Sequence, residues 1–135
     1  MNAMQVNPGC KSPVLVIEDE PSVMAFVQAA LERAGYSVVP VGSGVEALSV
    51  LGQNGPFLGV VSDMRTPGGV DGADVHNWIA QHRPELLTRL VFITGDIVSE
   101  ETAATLQRTG AAWVEKPFRV QHFISVVNQV IGEPQ

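Results

Sequence analysis

Short apolar runs alternate along the chain with segments of helical periodicity. An unbroken apolar run that stops at polar residues is typical of a strand buried on both faces. Short apolar runs of this kind predict strands at residues 13–17, 58–62, 90–94 and 112–114, and the largely apolar segment 36–41 predicts a further strand. Apolar residues at helical spacing predict a helix after strands one, two, three and five, and Ser99 followed by Glu100 and Glu101 predicts one after strand four. The pattern therefore indicates five strands that alternate with five helices.

Individual residues mark where the helices begin. Pro21 suits the first position of the first helix, directly after Glu20, which we expect to cap it. Ser43, followed three residues later by Glu46, fits a capping box for the second helix, which should end at residues 55–56. Ser99 can cap the fourth helix.

The order of the strands follows from this alternation and from one proline. Strands that alternate with helices imply a parallel sheet covered on both faces, and right-handed crossovers limit the strand orders. Pro40 cannot donate a ladder hydrogen bond, which restricts the second strand to an edge. We therefore predict an α/β fold of the flavodoxin-like type, a (βα)5 three-layer sandwich with strand order 2-1-3-4-5.

Length and composition bound the domain organisation and the class of protein. With 135 residues, 45% of them apolar, the chain can bury the core of one domain, which we expect at residues 13–132. Residues 1–12 are predicted to be a flexible leader or an expression tail, and residues 133–135 a short tail. Fourteen acidic residues against eight basic ones argue against direct nucleic-acid binding.

The compartment is predicted from apolar runs and cysteine content. No apolar run approaches the roughly 18 residues that a membrane span needs, so no membrane contact is expected. Cys10 is the single cysteine and has no disulfide partner within the chain. These features indicate a cytoplasmic protein.

Polar side chains follow four of the predicted strands. Glu18 and Asp19 come after strand one, and Asp63 comes after strand three. Thr94 ends strand four, and Lys116 lies just past strand five. Because ligands of open α/β sheets bind beyond the carboxyl ends of the strands, we expect these side chains to converge there.

Three converging carboxylates repel one another unless a cation joins them. Mg²⁺ prefers oxygen ligands and retains several waters, so one or two carboxylates and a phosphoryl oxygen suit it, and Mn²⁺ is the alternative ion. A metal, a lysine and a hydroxyl around one carboxylate favour attack of that carboxylate on phosphorus. The predicted nucleophile is Asp63, with Lys116 and Thr94 contacting other phosphoryl oxygens.

Four segments at these strand ends carry a family resemblance. Residues 14–20 read VLVIEDE, residues 60–63 VVSD, residues 92–95 FITG and residues 115–118 EKPF. Together, in this order, they resemble the signature segments of response-regulator receiver domains of two-component signalling. The resemblance spans nearly the whole chain.

The resemblance implies a metal-ligand set. Asp19 and Asp63 would bind Mg²⁺ directly, Glu18 through a water, and Arg65 through its backbone carbonyl. A cis peptide bond before Pro117 is also implied.

The resemblance also implies an activity. Asp63 would take a phosphoryl group from the phosphohistidine of a histidine kinase or phosphotransfer protein in a bacterial phosphorelay. Thr94 and Trp113 would then switch the face formed by helix four, strand five and helix five, which contacts a downstream protein that the sequence does not identify. No turnover beyond self-phosphorylation and autodephosphorylation is expected of the domain alone.

The chain departs from the usual receiver pattern in three places. Glu18 stands where most receivers have aspartate, and Trp113 where they have tyrosine or phenylalanine. The loop at residues 64–72 is one residue longer than the commonest form. Its Pro-Gly-Gly sequence is similar to that of receivers at the C-terminus of hybrid sensor histidine kinases, which makes a kinase polypeptide an alternative setting.

The same residues are also compatible with other structural roles and with other functions. Asp63 as a loop cap, Lys116 as a solvated surface residue and Thr94 as an ordinary strand residue are the structural alternatives. A Mg²⁺-dependent aspartyl-phosphate phosphohydrolase uses similar groups, but it would need a second acid where Arg65 stands. A flavodoxin-like cofactor binder is disfavoured because the loop after strand one is acidic.

Overall fold

The structure is a computed structural model that describes residues 12–53, 55–66, 68–95 and 99–134. The strands are β1 Val14–Ile17, β2 Val38–Val41, β3 Gly59–Asp63, β4 Leu90–Thr94 and β5 Ala112–Glu115. The α-helices are α1 Pro21–Arg33, α2 Gly44–Leu51, α3 Gly72–His82, α4 Glu100–Thr109 and α5 Val120–Val130. A short 3₁₀ helix, Pro84–Arg89, precedes β4. The leader predicted at residues 1–12 lies outside the described residues except for Ser12.

All five strands are parallel, and their order is β2-β1-β3-β4-β5. The predicted flavodoxin-like fold and strand order are therefore confirmed. Pro40 is exposed and lies beside Val16 on the outer strand β2. Its missing N–H costs no ladder bond there because, within the part of the chain that the structure describes, β2 has a neighbouring strand on one side alone.

Each face of the sheet carries its own apolar core. Successive residues of β1 point to opposite faces, so Val16 joins the core beneath α1 and α5, whereas Leu15 joins the core beneath α2 and α3. Val27 of α1 and Ile79 of α3 are fully buried in these two cores. The three-layer arrangement leaves the carboxyl ends of the strands as the edge where polar side chains collect.

Two predicted boundaries are wrong by a few residues. Strand β2 begins at Val38 rather than Tyr36 because the Tyr36 N–H donates to the Leu31 carbonyl at the end of α1. The Tyr36 hydroxyl also contacts the Gly132 carbonyl at 2.6 Å, which ties this segment to the end of α5. Helix α2 ends at Leu51, before the predicted stop at residues 55–56.

The predicted helix caps are confirmed in part. Ser43 accepts a hydrogen bond from the Glu46 N–H, but the Glu46 carboxylate accepts from Gly42 and does not complete a box with Ser43. Glu20 occupies the N-cap position of α1 without a side-chain cap. Ser99 accepts from the N–H of Thr102 and caps α4 as predicted.

Helix α3 follows the loop after β3 and begins with a capping box, which the pattern of apolar residues does not predict. Asp71 and Asp74 form a reciprocal capping box at the start of α3. Upstream, the Thr66 hydroxyl donates to the Val70 carbonyl at 2.6 Å. A Cβ at Gly44 would lie 2.3 Å from that carbonyl oxygen, so the loop packs directly on the start of α2.

No helix in the described ranges has the length and hydropathy needed to cross a membrane.

Candidate functional site

The ends of β1 and β3 bring the first acidic residues together. Ile17 and Ser62 are partners in the β1–β3 register, so Glu18 and Asp63 follow at adjacent strand ends. The Glu18 N–H donates to the Val41 carbonyl, which continues the pairing with β2 past the last strand residue. This local geometry positions both carboxylates at the carboxyl edge of the sheet.

The ends of β4 and β5 complete the edge. Thr94 is the last residue of β4 and is buried, with 2% of its surface exposed. The Lys116 N–H donates to the Thr94 carbonyl at 2.8 Å, so the lysine begins where the β4–β5 ladder ends. The Lys116–Pro117 peptide bond is cis, as the family resemblance implied.

Three carboxylates converge at this edge. One carboxylate oxygen from each of Glu18, Asp19 and Asp63 lies within 4.8 Å of those of the other two residues. Glu18 and Asp63 are buried, whereas Asp19 is exposed. The expected convergence of the three acids is therefore present in the structure.

Lys116 bridges the two buried carboxylates. Its Nζ lies 3.3 Å from Glu18 Oε1 and 3.4 Å from Asp63 Oδ2. The ammonium thus points into the acidic cluster, and Lys116 is not a solvated surface lysine. The contact with Glu18 is a feature that the sequence pattern did not predict.

Backbone N–H groups satisfy the remaining oxygens of these two acids. Glu18 Oε2 accepts from the Glu20 N–H at 3.1 Å, and Asp63 Oδ1 accepts from the Arg65 N–H at 3.2 Å. Because a buried carboxylate is costly without hydrogen bonds, these contacts hold both charged groups in place.

The surroundings shift two pKa values in the cluster. Burial raises the pKa of the Glu18 carboxyl, the charge of Asp63 adds to the rise, and the Glu20 N–H and Lys116 oppose it. Burial alone would lower the pKa of the Lys116 ammonium, but the charges of Asp63 and Glu18 outweigh burial and raise it. Lys116 is therefore held in its charged form.

The donor set of the cluster suits a hard divalent cation. It offers oxygen atoms alone, from three carboxylates, and one of these is exposed toward solvent. Three carboxylates and one ammonium leave an excess of negative charge, which a cation relieves. Mg²⁺ and Mn²⁺ both accept oxygen ligands of this kind.

Of the other predicted site residues, Arg65 lies next to the acidic cluster, whereas Trp113 lies at the surface of β5. Arg65 directly follows Met64 in the loop after Asp63, and its backbone N–H contacts the Asp63 carboxylate. Trp113 lies on β5 beside Phe92, with 41% of its surface exposed, so its ring faces outward in this structure.

The side chain of Arg65 makes a contact that sequence reasoning missed. Its Nη2 donates to the Ser99 hydroxyl oxygen at 3.1 Å, 34 residues along the chain. Ser99 is the residue that caps α4. No spacing in the sequence signals this contact, because it depends on how the two loops meet across the edge of the sheet.

A family model described as the response regulator receiver domain matches residues 14–128. The polar-differentiation response regulator DivK of Brucella ovis is 24% identical over 120 residues, which cover 89% of this chain and 96% of DivK.

Solved structures show the same fold. The chemotaxis protein CheY4 of Vibrio cholerae superposes with a TM-score of 0.76 at 25% identity, over 90% of this chain and 99% of CheY4. The receiver domain of the sensor histidine kinase PA1611 of Pseudomonas aeruginosa PAO1, solved with magnesium in its active site cleft, has a TM-score of 0.79 at 22% identity, over 92% of this chain and 100% of that domain. The family match covers most of the chain, and the chain belongs to the response regulator receiver domain family.

Proposed function

We propose that this receiver domain is the phosphoacceptor of a bacterial two-component phosphorelay and that it takes the phosphoryl group on Asp63. The observation that carries the proposal is the position of Lys116, whose ammonium contacts both Asp63 and Glu18 within the three-carboxylate cluster. This is the arrangement that attack of a carboxylate on phosphorus needs, because the developing phosphoryl charge meets a fixed cation.

The reaction forms one bond and breaks another. A carboxylate oxygen of Asp63 attacks the phosphorus of a phosphohistidine, a phosphorus–oxygen bond forms, and the phosphorus–nitrogen bond breaks as the imidazole leaves and takes up a proton. The Arg65 N–H orients the Asp63 carboxylate through Oδ1, and Lys116 lies against Oδ2. In this proposal the Thr94 hydroxyl contacts a further phosphoryl oxygen.

The reaction is proposed to depend on Mg²⁺, with Mn²⁺ as an alternative. Asp19 and Asp63 would bind the ion directly, Glu18 through a water and Arg65 through its carbonyl oxygen. When bound, the ion supplies positive charge that offsets the charge of the attacking and phosphoryl oxygens. Glu18 is already engaged with Lys116 and the Glu20 N–H, which supports an indirect role for it.

The partners in this proposal are a histidine kinase or phosphotransfer protein as donor and a downstream protein as recipient of the signal. The output surface would be the face of α4, β5 and α5, with Thr94 and Trp113 as switch residues. The exposure of Trp113 supports this role, because a ring at the surface of this face is accessible to a partner protein. A cytoplasmic setting is part of the proposal, and a single cysteine agrees with it.

A receiver within a hybrid sensor histidine kinase is the alternative setting of the same activity. The likeness to the PA1611 receiver domain and the Pro-Gly-Gly loop support it. The phosphoacceptor chemistry at Asp63 is the same in both settings.

Mass spectrometry of the intact protein tests the proposal. The wild-type protein and Asp63→Asn are incubated with acetyl phosphate, with and without Mg²⁺. We expect the wild type to gain the mass of one phosphoryl group when Mg²⁺ is present, and the variant to gain none. Glu115→Gln, which changes an exposed acid at the same sheet edge, is the matched control and should behave as wild type. An equal gain in Asp63→Asn would overturn the assignment.

A further inference from the structure

The guanidinium of Arg65 and the amide of Thr102 share one hydroxyl oxygen. Ser99 Oγ accepts from Arg65 Nη2 at 3.1 Å and from the Thr102 N–H at 3.4 Å. Arg65 lies two residues past Asp63, and Thr102 lies in the first turn of α4. A continuous set of bonded groups therefore runs from the Asp63 carboxylate, through Arg65 and Ser99, to the start of α4.

The buried residue of helix α4 lies at the end next to Ser99. Across its ten residues, all within the described ranges, the one that is buried is Thr102. Leu106 packs against the core only in part, and the C-cap residue Gly110 has a left-handed φ of 65°. The contacts at Ser99 and Thr102 therefore have a large influence on where α4 begins.

The position of Arg65 carries an electrostatic cost. The N-terminus of a helix has a partial positive charge, so a cation is disfavoured there. The exposed acids Glu100 and Glu101 in the first turn reduce this cost. A phosphoryl group on Asp63 would compete with the Ser99 hydroxyl for the Arg65 guanidinium, because guanidinium groups bind phosphate more strongly than a neutral hydroxyl.

We propose that Arg65 is a positioning residue that couples the state of Asp63 to α4. In the resting domain its guanidinium holds Ser99 as the cap of α4. Phosphorylation of Asp63 adds negative charge two residues away, the guanidinium turns to the phosphoryl oxygens, and the start of α4 loosens. This inference rests on the proposed function and deepens it, because it assigns a residue-level route from the phosphoryl group to one element of the proposed output face.

Amide hydrogen exchange of Thr102 and Ala103, read by NMR, tests this coupling. It is measured for wild type, Arg65→Ala, Arg65→Lys, Ser99→Ala and the double variant, before and after incubation with acetyl phosphate and Mg²⁺. Intact mass gives the phosphorylated fraction of every sample. Arg33→Ala, an exposed arginine at the end of α1, is the control.

Phosphorylation should speed exchange of the wild-type Thr102 amide about threefold, the size expected for loss of an exposed charge-assisted contact. Unphosphorylated Arg65→Ala should already exchange at that faster rate, and Arg65→Lys should be intermediate because it lacks the planar fork. In the Ser99→Ala background, Arg65→Ala should add nothing. Arg33→Ala should respond as wild type does.

Three outcomes are distinguishable. A phosphorylated wild type whose Thr102 exchange is unchanged would overturn the inference while the proposed function stands. Additive effects of Arg65→Ala and Ser99→Ala would overturn it as well, because they would show that the two side chains act independently. A wild type that gains no mass would contradict the proposed function, and with it the proposed turn of Arg65 from Ser99 to the phosphoryl group. The exchange rates of the unphosphorylated single and double variants would still decide whether Arg65 acts through Ser99.

Discussion

Lys116 Nζ lies 3.4 Å from Asp63 Oδ2, although 53 residues separate the two along the chain. The ends of β3 and β5 supply the two side chains, with β4 between them. The same ammonium serves Glu18 at 3.3 Å. Two buried carboxylates thus share one ammonium, and a third carboxylate, that of Asp19, lies on the solvent side of the cluster. The site is therefore built with more negative than positive charge.

This charge excess predicts that Asp63→Asn stabilises the metal-free domain. The substitution removes repulsion between Asp63 and Glu18 and leaves Lys116 paired with one acid. We expect the free energy of unfolding to rise, by about 1 kcal/mol if the effect has the usual size of a single substitution. Urea unfolding in chelator-treated buffer measures it. Glu115→Gln, at an exposed position, should change stability by less than about 0.5 kcal/mol. A clearly destabilised Asp63→Asn would refute the prediction.

Mg²⁺ should stabilise the wild-type domain through Asp19 and Asp63. A ligand that binds only the folded state adds about 1.4 kcal/mol at roughly ten times its dissociation constant. Asp19→Asn should lose most of this gain, and chelation should reverse it in the wild type. Thermal unfolding across a Mg²⁺ series is the measurement, with Glu20→Gln as the control for an exposed neighbouring acid. Equal stabilisation of Asp19→Asn and wild type would argue against this ligand set.

Loss of Lys116 should separate phosphoryl uptake from the conformational response. In Lys116→Met, Asp63 and the Mg²⁺ ligands remain, so acetyl phosphate should still add one phosphoryl group. The response of α4 and α5 should weaken, because the ammonium that contacts Asp63 is, in the proposed mechanism, the group that would link β5 to the phosphoryl oxygens. Amide exchange on both helices, compared at equal phosphorylated fraction, measures this. A full wild-type response in the variant would count against the assigned role.

His76 predicts part of the pH dependence of stability. Burial, and to a lesser extent the charge of Arg108, lower the pKa of its imidazole below the usual value near 6.5. Its Nδ1 is buried and has no hydrogen-bond partner among the residues that the structure describes. The folded state binds this proton less tightly than the unfolded state does, so protonation of His76 favours unfolding. The contribution of neutral His76 to the free energy of unfolding is therefore fully present above about pH 6.5 and is lost as the pH falls through the folded-state pKa.

Unfolding free energies between about pH 5 and pH 8 test the role of His76. The wild type should lose more stability toward the acidic end than His76→Gln, which has no titrating ring. His82→Gln, at an exposed position on the same helix, serves as the control and should follow the wild type. Parallel curves for wild type and His76→Gln would contradict the predicted direction of the pKa shift.

The strand order and the convergence of the site could be predicted because they depend on period and position. Pro40 restricts β2 to an edge, and side chains at the ends of parallel strands meet at one side of the sheet. Asp63, Thr94 and Lys116 were found on this basis, and the structure places all three at that edge.

The details of the site could not be predicted from the sequence, because they depend on side-chain reach. The longer side chain of Glu18 contacts Lys116 as well as the Glu20 N–H, and no apolar pattern encodes that geometry. The Arg65–Ser99 contact spans two loops whose approach only the fold determines. The capping box at Asp71 was missed because the glycine-rich loop before it carries no periodic signal.

The most direct test of the account is the identity of the phosphorylated residue. The protein is phosphorylated with acetyl phosphate and Mg²⁺, treated with borohydride to reduce an acyl phosphate to an alcohol, and digested for peptide mass spectrometry. We expect homoserine in place of aspartate at position 63 and no reduced side chain at Glu18 or Asp19. Modification of Glu18 or Asp19 instead, or a phosphorylated protein with position 63 unmodified, would contradict it.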